Sequence, residues 1–73
     1  MQVARSFRYA VLQTIAFVCE YPYTGIINAR DQRFRSRIIP GFRYRIHYTV
    51  MNDALVIVHI RHTSRDSWDP KHE

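Results

Sequence analysis

The chain has 73 residues, a single cysteine and a formal net charge of +5. This length allows one small domain with a thin core, and one cysteine excludes both an internal disulfide and a cysteine-rich zinc site. The longest uncharged stretch, Tyr9–Cys19, has 11 residues, well short of the ~20 that a membrane helix requires. We therefore expect a cytoplasmic protein that forms one domain over residues 1–73 and has no membrane partner.

The first part of the chain carries apolar residues at helical spacing and ends at Pro22, which predicts a helix over residues 3–21. One stripe of this helix, which we expect to pack on the core, consists of Val3, Phe7, Val11, Ile15 and Val18. A second stripe beside it consists of Leu12, Ala16 and Cys19. We expect a core helix in which both stripes are buried, Cys19 included. The alternative is that the second stripe packs against another helix or a partner.

Residues 26–31 are typical of a loop or a poor strand, and after them the apolar period changes to two. The first predicted strand directs Phe34, Ser36 and Ile38 to the core. The second follows the Pro40-Gly41 turn, and its core side chains are Phe42, Tyr44, Ile46, Tyr48 and Val50. A tight turn at residues 51–53 leads into a third strand over residues 54–62, with Val56, Val58 and Ile60 on its core face.

The predicted order of elements is helix, strand, strand, strand, with short connections. This order indicates an α+β fold in which an N-terminal helix packs on a three-stranded antiparallel meander. The residues from about Thr63 onward form a polar tail.

Basic side chains dominate the sheet face that points away from the predicted helix. Ten of the eleven basic residues are arginine, a residue that grips carboxylates and phosphates through a planar fork. The outward set is Arg33, Arg35, Arg37, Arg43, Arg45, His47, His59 and Arg61. Like charges on neighbouring strands repel each other, so this face is either a solvated surface or a site for an anionic partner such as nucleic acid or an acidic protein.

Catalytic chemistry on this face remains an open alternative. His47 or His59 has the chemistry of a general acid or base in RNA cleavage, with arginines to stabilise negative charge, but no spacing here is diagnostic. The two glycines, Gly25 and Gly41, do not make a phosphate-binding loop. We expect no metal ion and no cofactor.

Three segments resemble the RelE/ParE superfamily of bacterial toxins. Residues 35–48, which read RSRIIPGFRYRIHY, resemble the middle of that family. Residues 56–66 are similar to its final strand and its closing His-x-x-Arg-Asp, and Tyr21–Gly25 matches the place where members often have Pro-x-x-Gly. The resemblance covers roughly residues 4–66, but the first strand and first helix of the family fold precede the point where this sequence begins.

The resemblance implies the toxin of a type II toxin–antitoxin pair, associated with growth inhibition and plasmid stabilisation. ParE-like members inhibit DNA gyrase by binding it, whereas RelE-like members cleave messenger RNA on the ribosome. The closing segment His62–Asp66 is closer to ParE. The alternatives are a RelE-like ribonuclease, whose catalytic residues are then Arg37, Arg45, His47, His59 and Arg61, and a non-toxic fragment that binds an antitoxin.

The same resemblance implies a ParD-like or RelB-like antitoxin as partner. We expect its contacts on the helix, at Val11, Leu12, Ile15, Ala16 and Cys19. In the isolated chain a homodimer packed through the helix is the expected substitute. The side chains expected to bind an anionic partner are Arg33, Arg35, Arg37, Arg43, Arg45, Arg61 and Arg65.

Overall fold

The computed structural model describes residues 3–65 and residue 70, and it describes side chains for residues 6–64 and residue 70. A helix, α1 (Val3–Glu20), precedes four strands and a short 3-10 turn at Thr63–Arg65. The strands are β1 (Ile26–Ile27), β2 (Phe34–Ile39), β3 (Tyr44–Met51) and β4 (Ala54–His62). They form one antiparallel sheet in the order β1-β2-β3-β4. The predicted α+β fold is confirmed, and β1 is a short additional strand in the segment predicted as a loop or a poor strand.

The core lies between α1 and one face of the sheet. Its fully buried side chains are Val18 from the helix and Ile39, Ile46 and Tyr48 from the strands. The ring of Phe7 meets the rings of Phe42 and Tyr44 edge-to-face, with centroids 5.2 Å apart in each pair. These contacts confirm that the first helical stripe packs on the core.

The second helical stripe is exposed, contrary to the expectation that both stripes are buried. Leu12, Ala16 and Cys19 all lie on the solvent side of α1. A single helix on an open sheet contacts it along one narrow stripe, so the next stripe around the helix remains in water. The expectation of a buried Cys19 was therefore wrong.

The turn after α1 is bonded to the central strand. The hydroxyl of Tyr48 donates a hydrogen bond of 2.7 Å to the carbonyl of Pro22. The Arg35 guanidinium donates to the carbonyls of Tyr23 and Gly25, each at 3.0 Å. A Cβ on Gly25 would overlap the Tyr48 hydroxyl, so only glycine allows this close approach. These bonds set where the chain passes from the helix into the sheet.

The orientation of β2 is opposite to the prediction. Ser36 pairs with His47 and Ile38 with Arg45, so Phe34, Ser36 and Ile38 lie on the face away from the helix. Arg35, Arg37 and Ile39 lie on the helix face instead. The buried side chain of Ile39 sets this phase. Arg35 and Arg37 can lie on the helix face because their long side chains extend past α1 to its edge.

A bulge divides β4 into two halves of different phase. His47 pairs with His59 and Tyr48 with Ile57, so Val58 is an extra residue on β4. Before the bulge, Leu55 and Ile57 pack on the core and Val56 is exposed, which is opposite to the prediction. After the bulge the alternation is as predicted, although Ile60 at the sheet's border is partly exposed.

The hairpin between β3 and β4 has the predicted turn chemistry. Asn52 and Asp53 have φ angles of 52° and 64°, the pair of left-handed conformations that a type I′ turn requires. Asn and Asp tolerate this backbone region better than other non-glycine residues. The turn aligns β3 and β4 along their length.

Two adjacent isoleucines test the phase of β2. Ile39 is 0% exposed and Ile38 is 45% exposed. We expect Ile39→Ala to lower the free energy of unfolding by about 2–5 kcal/mol, because it leaves a cavity in the core. The matched change Ile38→Ala lowers it by less than about 1 kcal/mol, since it removes an exposed side chain. Urea unfolding followed by circular dichroism measures both. A larger loss for Ile38→Ala would contradict the observed register.

The buried Tyr48 hydroxyl predicts a loss of stability in alkali. Burial raises the pKa of Tyr48 above its ordinary value of 10.0. Its contribution to stability is therefore fully present below about pH 10 and is lost as the pH rises through the raised pKa. We expect Tyr48→Phe to cost about 1 kcal/mol at pH 7, because the Pro22 carbonyl loses its donor. The variant also shows a shallower decline above pH 10.

Urea titrations between about pH 8 and pH 11 measure this pH dependence. The exposed Tyr23 provides the control, since Tyr23→Phe leaves the alkaline decline at its wild-type slope. A wild-type slope in Tyr48→Phe would contradict the assignment.

Candidate functional site

Four of the predicted site residues lie together on the open face of the sheet, the face opposite α1. Arg45 pairs directly with Arg61, and His47 with His59, across β3 and β4. Residues two apart on a strand share a face, so the two pairs are neighbours. We call Arg45, His47, His59 and Arg61 the open-face cluster.

Ser36 joins the open-face cluster from β2. It pairs with His47, and its Oγ accepts a hydrogen bond of 3.0 Å from Nη1 of Arg45. This bond directs the Arg45 side chain toward β2. His47 is only 5% exposed, whereas Arg45, His59 and Arg61 are half-buried. The cluster therefore has a buried floor and a basic rim.

The chemistry of the open-face cluster is that of an anion site. Arg45 and Arg61 are directly opposite residues on antiparallel strands, which places their Cβ atoms within about 5.5 Å of each other and concentrates positive charge at this point of the face. A guanidinium group binds a phosphate or carboxylate through charge-assisted hydrogen bonds, and this face carries two of them on neighbouring strands. Beside them lie two imidazoles, the side-chain type that most often serves as a general acid or base.

The arginines of β2 are separated from the open-face cluster. Arg37 lies against α1, where its guanidinium carbon is 4.0 Å from the centroid of the Phe17 ring. Arg35 lies over Tyr23 at 5.4 Å and is bonded to the turn described above. The expectation that these arginines share one face with Arg45 and Arg61 was wrong, because Ile39 sets the opposite phase of β2.

The remaining predicted arginines also lie elsewhere. Arg33 is exposed and forms an ion pair of 2.6 Å with Asp31, whose hydrogen bonds raise the pKa of Arg33. Arg43 is exposed in the turn before β3, with a φ angle of 56°. Arg65 lies in the 3-10 turn, and its side chain is outside the described part of the chain. The open face thus retains Arg45 and Arg61 from the predicted set of seven.

The predicted antitoxin contacts divide into two groups. Leu12, Ala16 and Cys19 are exposed and available to a partner. Val11 and Ile15 are half-buried, because they pack against the hydrophobic core of the chain itself. The exposed stripe is therefore narrower than the predicted one.

A groove beside α1 was not predicted from the sequence. It has a volume of about 370 Å³, and its lining residues are Tyr9, Ala10, Gln13, Thr14, Phe17, Arg37 and Pro40. A signal for it exists in the sequence, since Tyr9, Gln13, Phe17 and Tyr21 recur every four residues. Recognising it also required the correct phase of β2, which supplies Arg37.

Neither metal ligation nor a membrane span has a structural basis in the described part of the chain. Among residues 3–65 and residue 70, no three His, Cys, Asp or Glu side chains are grouped as metal ligands. Within the same residues, no helix combines the length and apolar character that a membrane crossing requires.

Comparison with known proteins identifies the family. The sequence profile described as "ParE toxin of type II toxin-antitoxin system, parDE" matches residues 2–67, which is most of the chain. The searches for similar curated proteins and for similar solved structures found no match. The matched range contains the three segments that resemble the RelE/ParE superfamily. The chain belongs to the ParE toxin family of type II toxin–antitoxin systems, a membership that implies a cognate antitoxin.

Proposed function

We propose that this ParE-family toxin acts in the cytoplasm, where it inhibits DNA gyrase by binding it and is neutralised by its antitoxin. The observation that carries the proposal is the ParE match over residues 2–67. The consequences for the cell are growth inhibition and, where the gene pair lies on a plasmid, plasmid stabilisation.

The open-face cluster supplies a physical basis for binding the target. Arg45 and Arg61 concentrate positive charge on a half-buried surface, where a charge is screened less than on a fully exposed one. A carboxylate of gyrase or a phosphate of its DNA is complementary to this positive charge. Binding at this site requires no covalent step, so inhibition is expected to be stoichiometric.

A supercoiling assay tests this function. We expect the wild-type chain to inhibit gyrase, and the double variant Arg45→Ala/Arg61→Ala to require at least about tenfold more protein, since buried charge contacts dominate such interfaces. The control Arg8→Ala removes one exposed arginine of α1 and leaves inhibition within about twofold. Unimpaired supercoiling at micromolar concentrations of folded wild-type protein would contradict gyrase inhibition.

A RelE-like ribonuclease is the second candidate function. The observation in its favour is the direct pairing of His47 with His59 beside Arg45 and Arg61, which brings proton-transfer groups and phosphate-binding groups onto one face. Arg37, included in the expected catalytic set, lies on the other side of the sheet. A ribonuclease site on this face therefore depends on four of the five expected residues.

Primer extension on translated messages tests the ribonuclease alternative. If this function holds, the wild-type chain produces codon-linked cuts, and His59→Ala reduces them by about 10²–10⁴-fold, the usual contribution of one general acid or base. His62→Ala is not a suitable control, because the half-buried His62 contacts the Tyr44 ring. Arg8→Ala serves instead. Wild-type cutting by His59→Ala would show that His59 has no catalytic role.

A further inference from the structure

The outer edge of β4 has no strand beside it in the described part of the chain. The strand order β1-β2-β3-β4 places β4 at the border of the sheet, with β3 on its inner side. In an antiparallel pair, every second residue directs its N–H and C=O groups away from the partner strand. The edge of this nine-residue strand therefore presents a row of hydrogen-bond donors and acceptors on which another strand can pair.

The side chains of β4 give this edge little protection against pairing with another chain. Natural sheet edges are usually protected by lysine, proline, bulges or a very short strand. The β4 sequence, ALVIVHIRH, contains neither lysine nor proline, and its one charged residue, Arg61, lies next to its end. The bulge at Val58 is the protective feature that β4 does have. The opposite border of the sheet is β1, which is only two residues long and so offers a much shorter template.

The bulge determines how a second strand can pair with β4. Before the bulge, Val56 lies on the open face and Ile57 on the helix face. After it, Ile60 lies on the helix face and Arg61 on the open face. Residues directly opposite each other in paired strands share a face. Two antiparallel copies of β4 meet this condition when Val56 lies opposite Arg61 of the second copy and Ile57 lies opposite Ile60.

This register covers the exposed apolar side chains of β4. Val56 is 37% exposed and Ile60 is 42% exposed. On the helix face, Ile60 packs against Ile57 of the second copy, which removes apolar surface from water. On the open face, the aliphatic part of the Arg61 side chain lies along Val56 of the second copy. Two-fold symmetry makes each contact occur twice, so a single self-complementary edge is sufficient for the interface.

We propose that two copies of this chain associate through β4, antiparallel about a two-fold axis, and join their sheets into one sheet of eight strands. The axis passes between residues 58 and 59 and is perpendicular to the sheet. Both open-face clusters therefore lie on the same side of the dimer, where an anionic partner can contact two sites at once. The proposal does not depend on the identity of the toxin's target.

The positive charge of the chain favours this antiparallel arrangement over a parallel one. Each copy carries a net charge of +5, and parallel strands in register would place the two Arg61 side chains next to each other. In the antiparallel register the two Arg61 positions are five residues apart along the strands, a separation of about 17 Å at ~3.4 Å per residue. This separation exceeds the Debye length of ~8 Å at physiological ionic strength, so the repulsion between them is largely screened.

Analytical ultracentrifugation of the full chain tests the proposal. We expect the wild-type chain to sediment as a dimer at several hundred micromolar. Val56→Lys places an ammonium opposite Arg61 of the second copy, whereas Val56→Glu places a carboxylate there. Because this pair occurs twice in the dimer, we expect the dimer Kd of Val56→Lys to be about tenfold or more above that of Val56→Glu. The control Ile27→Lys, on the β1 border of the sheet, leaves the Kd within about twofold.

Further variants separate this dimer from one packed through α1. Leu12→Asp retains the wild-type Kd if β4 forms the interface, because Leu12 lies on the solvent side of the helix. Circular dichroism establishes that each variant is folded, and Ile60→Lys, with an expected rise in Kd of about tenfold, tests the edge if the Val56 variants do not fold.

Three results would overturn the proposal. The first is a wild-type monomer at several hundred micromolar, which would leave the edge of β4 to a different chain. The second is an equal Kd for Val56→Lys and Val56→Glu. The third is loss of the dimer in Leu12→Asp with wild-type association in the Val56 variants. A failure of the chain to inhibit gyrase contradicts only the target proposal, because the sedimentation experiment contains this protein alone.

Discussion

The hydrogen bond from the buried Tyr48 hydroxyl to the Pro22 carbonyl connects the two parts of this small structure. Tyr48 lies on the central strand β3, and Pro22 lies in the turn that ends α1. Gly25 permits the approach because it has no side chain to occupy the space of the hydroxyl. Among the side chains that the structure describes, four apolar ones are fully buried, which leaves little hydrophobic stabilisation in reserve. One buried bond that positions the helix therefore has a large structural effect.

Once α1 is held in this position, the sheet has two chemically different sides. On the open face, Arg45 and Arg61 lie beside His47 and His59, with Ser36 bonded to Arg45. On the helix side, Arg37 stacks on Phe17 at the edge of α1. Arginine occurs on both sides for different reasons. Within the described residues, no helix covers the open face, whereas on the helix side a long side chain extends past the helix and stacks on an aromatic ring.

This separation suits a protein that has to contact two partners. A toxin meets its target and its antitoxin, and the two surfaces described here differ in character. The open-face cluster is basic and half-buried, with polar groups at its floor. The groove is apolar and aromatic with a single guanidinium. In the proposed function, the first of these surfaces binds the target.

Local sequence patterns were sufficient for most of the fold. The spacing of Phe7, Val11 and Val18, together with Pro22, determines the helix. The strict alternation over Tyr44, Ile46 and Tyr48 determines which face of β3 is buried. Asn52 and Asp53 determine the hairpin turn, since few other residues tolerate both left-handed conformations. Arg45, His47, His59 and Arg61 were likewise placed correctly on one face.

Only the tertiary structure decided the features for which two positions or two faces of an element were both suited to burial. The run Phe34–Ile39 has one isoleucine in each phase, so its pattern is nearly balanced, and contact with the core selected Ile39 over Ile38. That choice moved Arg35 and Arg37 to the helix side and created the groove. The bulge at Val58 cannot be read from β4 by itself, because a bulge is a property of the pairing between two strands. Which stripe of α1 remains exposed is also a tertiary outcome, since both stripes are apolar and one sheet face covers only one of them.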